Sequence, residues 1–354
     1  MNKLLLTIAL GTMPGLAYAA TDWQKSLQDE ITRIDNRFAG DIGVYVQEMG
    51  DGASLAWQAN QNWYLGSLVS IPVAVEVLDR VDRGELKLAD TVQLDASRIV
   101  DGSGETSNHA AGTSLSVAYL LEQMLAAGDP TATDMLMAMV GLDAVNQRAQ
   151  QLLPPGQQYQ QLGPITRPLE MHRNVFGIMH RGAFDLTAED FRKILQAGNP
   201  KEQVQAFQQR LNIGPQDLKV SDLNDAYALY YATPVNSGQL DSFAQMLATI
   251  YSGQALTRES TDALLAMLRL NSNPGSEIGA GLPDSVRYAH QSSRSHRRMC
   301  DAGIVSSDAP SDGTMKNEVI VAACVRGPAS DEEVGQAFSE VGKAIAASGV
   351  LPGS

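Results

Sequence analysis

The stretch NWYLGSLVSIPVAVEVLDRVDRGELKLADTV, residues 62–92, decides how the chain is read. It sets Ser67 at the mouth of an apolar helical run. A hydroxyl there can cap the helix by accepting a backbone N–H bond. The same place suits a nucleophilic serine, provided a base stands near enough to take its proton. One helical turn on, the residue that shares its face is Ser70, a second hydroxyl. A neutral alcohol is no base near pH 7, so the stretch offers a nucleophile's position without an activator.

Upstream, the chain opens MNKLLLTIALGTMPGLAYAATDW. Lys3, an apolar run from Leu4 to Leu10 and the ending Ala17-Tyr18-Ala19 form the pattern of a secretory signal peptide over residues 1–19. That run is too short to span a bilayer, and Pro14 and Gly15 oppose a buried N-terminal helix. Cleavage after Ala19 or Ala20 and a periplasmic or secreted location are expected. Removing residues 1–19 takes away Lys3 and no acid, which moves the net charge from −14 to −15. Such acidity argues against nucleic acid or an anionic membrane surface as partner. A soluble monomer with no membrane span in its mature form is expected.

The two cysteines, Cys300 and Cys324, lie in strand-like runs, RRMCDAGIV and VIVAACVRG. Paired as a hairpin, these runs put the two residues nearly opposite each other. A cross-strand disulfide and two buried free thiols both remain open. No CxxC or clustered histidine spacing supports a metal, and no cofactor is expected.

TDWQKSLQDEITRIDNRFAG reads as an amphipathic helix, with Asp22 at its cap and Trp23, Leu27, Ile31, Ile34 and Phe38 at helical spacing. DIGVYVQEM and ASLAWQAN alternate as strands around Gly50-Asp51-Gly52. From residue 67 to about 270 the pattern is mostly helical. Strand signals return at SVRYAH, MCDAGIV and EVIVAACV, and a last helix starts at a capping box, Ser330 with Glu333. The expected class is α+β: a five-stranded antiparallel sheet flanked by the N- and C-terminal helices, with an inserted helical lobe. Its boundaries are a sheet lobe over 20–66 and 276–354 and a helical lobe over 67–275, with a ligand cleft between them.

This order and several blocks resemble the class A β-lactamase family of acyl-serine hydrolases, over nearly the whole mature chain. WYLGSLVSIPVAVEVLDRVDRGELKLADTVQL is similar to the family's nucleophile helix, and LEQMLAAGDPTATDMLMAMVG to its Ser-Asp-Asn block. IGAGLPDSVRYAHQSSRSHRRMCDAGIV is similar to its Lys-Thr-Gly strand and hairpin. The resemblance implies a three-layer α/β/α sandwich with Ser67 as nucleophile. It also shows three departures. Ser-x-x-Lys reads SLVS, so Ser70 stands at the lysine position. Ser-Asp-Asn reads Gly128-Asp129-Pro130, which loses the proton relay and the amide that binds substrate. Lys-Thr-Gly reads Gln291-Ser292-Ser293, which loses the anion-attracting charge and the backbone clearance of glycine.

Asp129 is a candidate substrate contact or, more simply, a cap for the following helix. Ser292 can replace the family's threonine hydroxyl. Glu170 and Asn174 keep the Glu-x-x-x-Asn spacing of the family's water-activating loop; the plainer reading is a helix face with Glu170 paired to Arg173. Arg294, in HQSSRSHRR, is a candidate anion binder in place of the lost lysine, or one charge of a basic hairpin tip. Read as one continuous strand, that stretch puts Arg294, His296 and Arg298 on a single face.

Three functions follow from these residues. One is an impaired or inactive family member that keeps at most binding of a β-lactam-like or peptidoglycan-like small ligand. Another is an active serine hydrolase using Ser67 with Glu170 as base. The last is a non-enzymatic envelope protein whose cleft is filled.

Overall fold

The structure, a computed structural model, describes residues 22–154, 156, 162–270, 277–307 and 318–351. The signal-peptide reading and most of the Gln-rich and turn-rich stretches fall outside those residues.

Helix α1 (Asp22–Asp35) turns Leu27, Ile31 and Ile34 inward, the stripe its spacing requires. The main strands are β1 (Asp41–Glu48) and β2 (Ser54–Trp57), then, after four short ones, three long ones. The short ones are β3 (Trp63–Tyr64), β4 (Thr91–Gln93), β5 (Ser114–Ser116) and β6 (Ser237–Gly238). The long ones are β7 (Val286–Ser295), β8 (Arg298–Ser307) and β9 (Val319–Arg326). They form one five-stranded sheet in the order β2-β1-β9-β8-β7, with every neighbour antiparallel. The α+β class expected from the sequence is the one observed.

Period-two alternation divides the sheet's side chains between two cores. Val319, Val321, Ala323 and Val325 of β9 face α1 and the C-terminal helix (Asp331–Ser348). Ile320, Ala322 and Cys324 face the helical lobe. Cys300 and Cys324 are direct partners across β8 and β9, and they are joined as a disulfide on that inner face. Ser330 and Glu333 form the capping box at the head of the C-terminal helix.

The helical lobe departs from the sequence reading in two respects. It carries a small ladder, β4 with β5, and is joined to the segment before it by another, β3 with β6, whose two or three residues are too few to show a period. It also contains a separate apolar cluster around Phe176, Phe191, Phe207 and Tyr230, apart from the one that packs on the sheet.

The disulfide closes a loop of 24 residues, so changing both cysteines to alanine is expected to cost about 3 kcal/mol. Urea unfolding of the wild type with and without reductant, beside the double variant, measures this. Equal midpoints in all three would show that the bond contributes nothing.

Candidate active site

Helix α2 (Ser70–Asp82) is entered through a tight turn, Gly66–Val69. Neither segment has a side-chain cap, so the capping role expected for Ser67 is not what the fold uses. The turn runs straight into the helix and shifts the cap positions to Leu65 and Val69. Gly66 has φ of +53°, and a Cβ there would strike the Ser293 side chain. Both the backbone hand and the close approach require glycine. That approach brings β7 against the turn, and the Ser67 N–H donates to Ser293 Oγ at 2.8 Å.

A cavity of about 200 Å³ opens beside Ser67. Ser67, Ser70, Gly128, Pro130 and Arg294 line it, so three distant stretches of sequence converge there. Helix α3 (Val117–Ala126) and helix α4 (Pro130–Val140) bring Gly128 and Pro130 into place between them. Ser70 is 2 % exposed, and its Oγ has no hydrogen-bond partner among the described residues. Gln291, at the position where the resemblance expects lysine, is equally buried with Oε1 unpartnered. Arg294 is the one arginine or lysine in the described lining, and it donates to Asp331 Oδ1 at 2.8 Å. Its guanidinium is thus both a wall of the cavity and half of an ion pair.

Four candidates lie elsewhere. Asp129 is 1 % exposed and caps α4: Oδ1 accepts from the Ala132 N–H and Oδ2 from the Thr106 N–H, each at 2.9 Å. With both oxygens engaged inside the fold, it does not line the cavity. Ser292 falls on the opposite face of β7 from Ser293 and is likewise absent from the lining. Glu170 sits in the first turn of a helix over Pro168–Met179 and accepts from Arg173 Nη1 at 2.6 Å. Asn174, one turn on, is also outside the lining. The reason is angular. Pro168, Met171 and His172 make one stripe of this helix and face the cavity, whereas Glu170, Arg173 and Asn174 make another. The single strand face proposed for Arg294, His296 and Arg298 is also broken, because the chain reverses at His296 and Arg297.

His172 was therefore the missed residue. Burial pushes its pKa down to about 4, against an opposing pull from Asp101, so the ring is neutral at pH 7. The Nδ1 atom is buried without a hydrogen-bond partner among the described residues, and the ring stacks on Phe191 with centroids 5.9 Å apart. Its place two residues after Glu170 is the only signal the sequence carries. Asn236 completes the wall: its Oδ1 accepts from the Thr166 N–H at 2.8 Å. Arg167 then locks this segment to α4 by a two-pronged contact, Nε to Asp134 Oδ1 at 2.7 Å and Nη2 to Oδ2 at 2.5 Å.

Behind β7, His290 Nδ1 lies 2.7 Å from Asp301 Oδ1. Burial lowers the His290 pKa, but the charge and hydrogen bond of Asp301 outweigh it, and the net shift is upward. Since the folded value is raised, the stabilisation is full below the ordinary histidine pKa and is lost as pH rises through the folded one. Melting temperatures taken from about pH 6 to 9 are expected to fall across that window, and His290→Gln should flatten the decline.

The sequence matches the Beta-lactamase enzyme family over residues 26–348. A beta-lactamase of Amycolatopsis lactamdurans is 26% identical over 123 residues, which are 35% of this chain and 40% of that protein. One of Rhodobacter capsulatus is 23% identical over 141 residues, 40% of this chain and 48% of its own length. The chain thus matches less than half the length of these curated relatives. Among solved structures, the TLA-1 extended-spectrum beta-lactamase superposes with a TM-score of 0.68 at 16% identity, covering 92% of this chain and 99% of that one. A beta-lactamase from Sphaerobacter thermophilus gives 0.62 at 19% identity, covering 93% and 98%. PBP-A in an acyl-enzyme complex with penicillin G gives 0.64 at 17%, covering 91% and 95%. With the family matched from the first helix to the last, the chain belongs to the beta-lactamase enzyme family.

Proposed function

We propose that this protein is an exported, catalytically silent member of its family, which binds a small β-lactam-like or peptidoglycan-like ligand beside Ser67 without turning it over. One observation carries the reading: the Ser67 N–H is already bonded to Ser293 Oγ. Acyl transfer to a serine needs backbone N–H groups free to receive the developing oxyanion, commonly including the nucleophile's own. Here Ser293 Oγ sits where that charge would form. Ser70 adds to this by supplying no base, and Gly128 by supplying no proton relay.

The active-hydrolase reading needs Glu170 beside Ser67, and Glu170 is held by Arg173 on another stripe of its helix. The cavity favours binding of a small group: about 200 Å³ is below the usual ~300–1,000 Å³ of ligand pockets, so most of a larger ligand would stay outside. PBP-A, the fold neighbour captured as a penicillin G acyl-enzyme, motivates the ligand class.

Weighing intact protein after incubation with penicillin G tests both halves of the reading. The expected mass is unmodified, with a melting-temperature rise that reports reversible binding. A stable adduct that disappears in Ser67→Ala would overturn catalytic silence. Unchanged melting at all ligand concentrations would overturn binding and favour a filled, structural cleft. N-terminal sequencing of the mature chain tests export; finding Met1 or Asn2 there would end that part of the proposal.

A further inference from the structure

A second hollow, of about 290 Å³, lies beyond the β7–β8 hairpin, between the hairpin tip, the start of β1, the end of β9 and a helix over Leu223–Tyr231. Its wall carries three arginines, Arg297, Arg298 and Arg326, against one carboxylate, Asp41, in an otherwise acidic chain. Arg298 and Arg326 are direct partners across β8 and β9 and so project from the same face. Like charges in that relation repel, and carboxylates ordinarily relieve them.

One carboxylate, Asp41, stands in the wall itself and is taken up by Arg326; Asp222, close by, is engaged at a helix start. Asp41 accepts from Arg326 Nε at 2.7 Å, and Arg326 also lies over Trp63 at 4.7 Å. Asp222 caps the Leu223–Tyr231 helix through the Asn224 N–H. Arg298 has only the ring of Tyr231 beneath it, at 4.3 Å, with no ion pair or hydrogen bond among the described residues. Its Nε is buried without an acceptor. A partly buried guanidinium lacking an acceptor is costly, because hydrogen bonds to charged groups are worth more than neutral ones.

The turn itself points the same way. Arg297 has φ of +53°, the left-handed conformation that a two-residue hairpin loop normally gives to Gly or Asn. An arginine held there at a conformational cost carries its charge to the rim of the hollow.

We propose that this hollow is a binding site for a small oxyanion, a carboxylate or phosphate group, received by the guanidinium of Arg298 with Arg297 at the rim. It shares no lining residue with the Ser67 cavity. Guanidinium suits either anion, since its planar fork matches both oxygen geometries.

Calorimetric titration of the folded protein at low ionic strength tests this, with inorganic phosphate in one arm and benzoate in the other. Saturable one-site binding of at least one anion is expected, and the stronger arm identifies the chemistry. Arg298→Gln should weaken it about tenfold, Arg297→Gln about threefold, and Arg258→Gln, remote and exposed, not at all. If Arg298→Gln does not fold, the exposed Arg297→Gln variant decides the matter. The site is disproved if neither anion saturates below about 10 mM, or if the foldable rim variant binds as tightly as wild type. Equal weakening by Arg258→Gln would disprove it too, since that marks unspecific charge attraction.

Discussion

The wild-type protein is expected to hydrolyse penicillin G at least about 10⁴-fold more slowly than an ordinary serine β-lactam hydrolase, with Ser67→Ala no slower than wild type. A positioned base contributes about 10²–10⁴ in rate, and an oxyanion donor about 10²–10³. Groups that act as one unit do not add, so the two are not multiplied out. Ser70→Lys alone should return little activity, because the leaving nitrogen still lacks a proton donor at Gly128 and the Ser67 N–H stays bonded to Ser293. Ser70→Lys, Gly128→Ser and Gln291→Lys restore base, relay and charge. The structure adds Ser293→Gly as the fourth change, since it frees the N–H. Lysines placed at sites as buried as Ser70 and Gln291 will be pushed toward neutrality, which favours a base at the first position but weakens the charge at the second. Progress curves over hours, compared with buffer and with Ser67→Ala, are the measurement. Turnover by the wild type at ordinary enzyme rates would refute the account of Ser70 and Ser293.

The second large effect is on stability. Arg167→Met should destabilise the fold by about 3 kcal/mol, because Asp134 stays buried while its two-pronged partner is lost. Asp134 is 2 % exposed, and the remaining cation, Arg98, touches it through one longer contact of 3.3 Å. The change should also release Thr166 from the cavity wall, so ligand binding at Ser67 should weaken along with the melting temperature. Urea unfolding and calorimetry on the same preparation separate the two effects. A loss below about 1 kcal/mol would mean that Arg98 alone satisfies the carboxylate.

The sheet was legible because its signals are local and repeated. Alternation in β1, the short apolar run of β9, the Gly50-Asp51-Gly52 turn and the Ser330–Glu333 box each state one backbone choice in a few residues. The convergence of Ser67, Ser70, Gly128 and Pro130 came from the resemblance, and the structure brings those four to one cavity. What stayed hidden depends on angle. Glu170 and His172 are two residues apart, and which of them meets the cavity turns on where the helix starts: Pro168 fixes that start. Asp129 was read both as a ligand contact and as a cap, and only its two hydrogen bonds decide for the cap. Ser293 was read as a lost clearance. That its hydroxyl fills the place beside the Ser67 N–H is a matter of tenths of an ångström between two distant segments, which no local pattern encodes.

The pairing of β1 with β9 has a kinetic meaning. Asp41 and Arg326 are 285 residues apart, yet they sit side by side where β1 begins and β9 ends, on two inner strands of the sheet. Closing so long a loop is the slowest kind of contact to form, and none of it can begin on a growing chain until β9 has been made. Until then β1 can pair only with β2, and its other edge stays bare and able to pair with another chain. A nascent chain that stalls before Val319 is therefore expected to be a hazard for aggregation, whereas one completed by a few dozen residues more can seal its own centre.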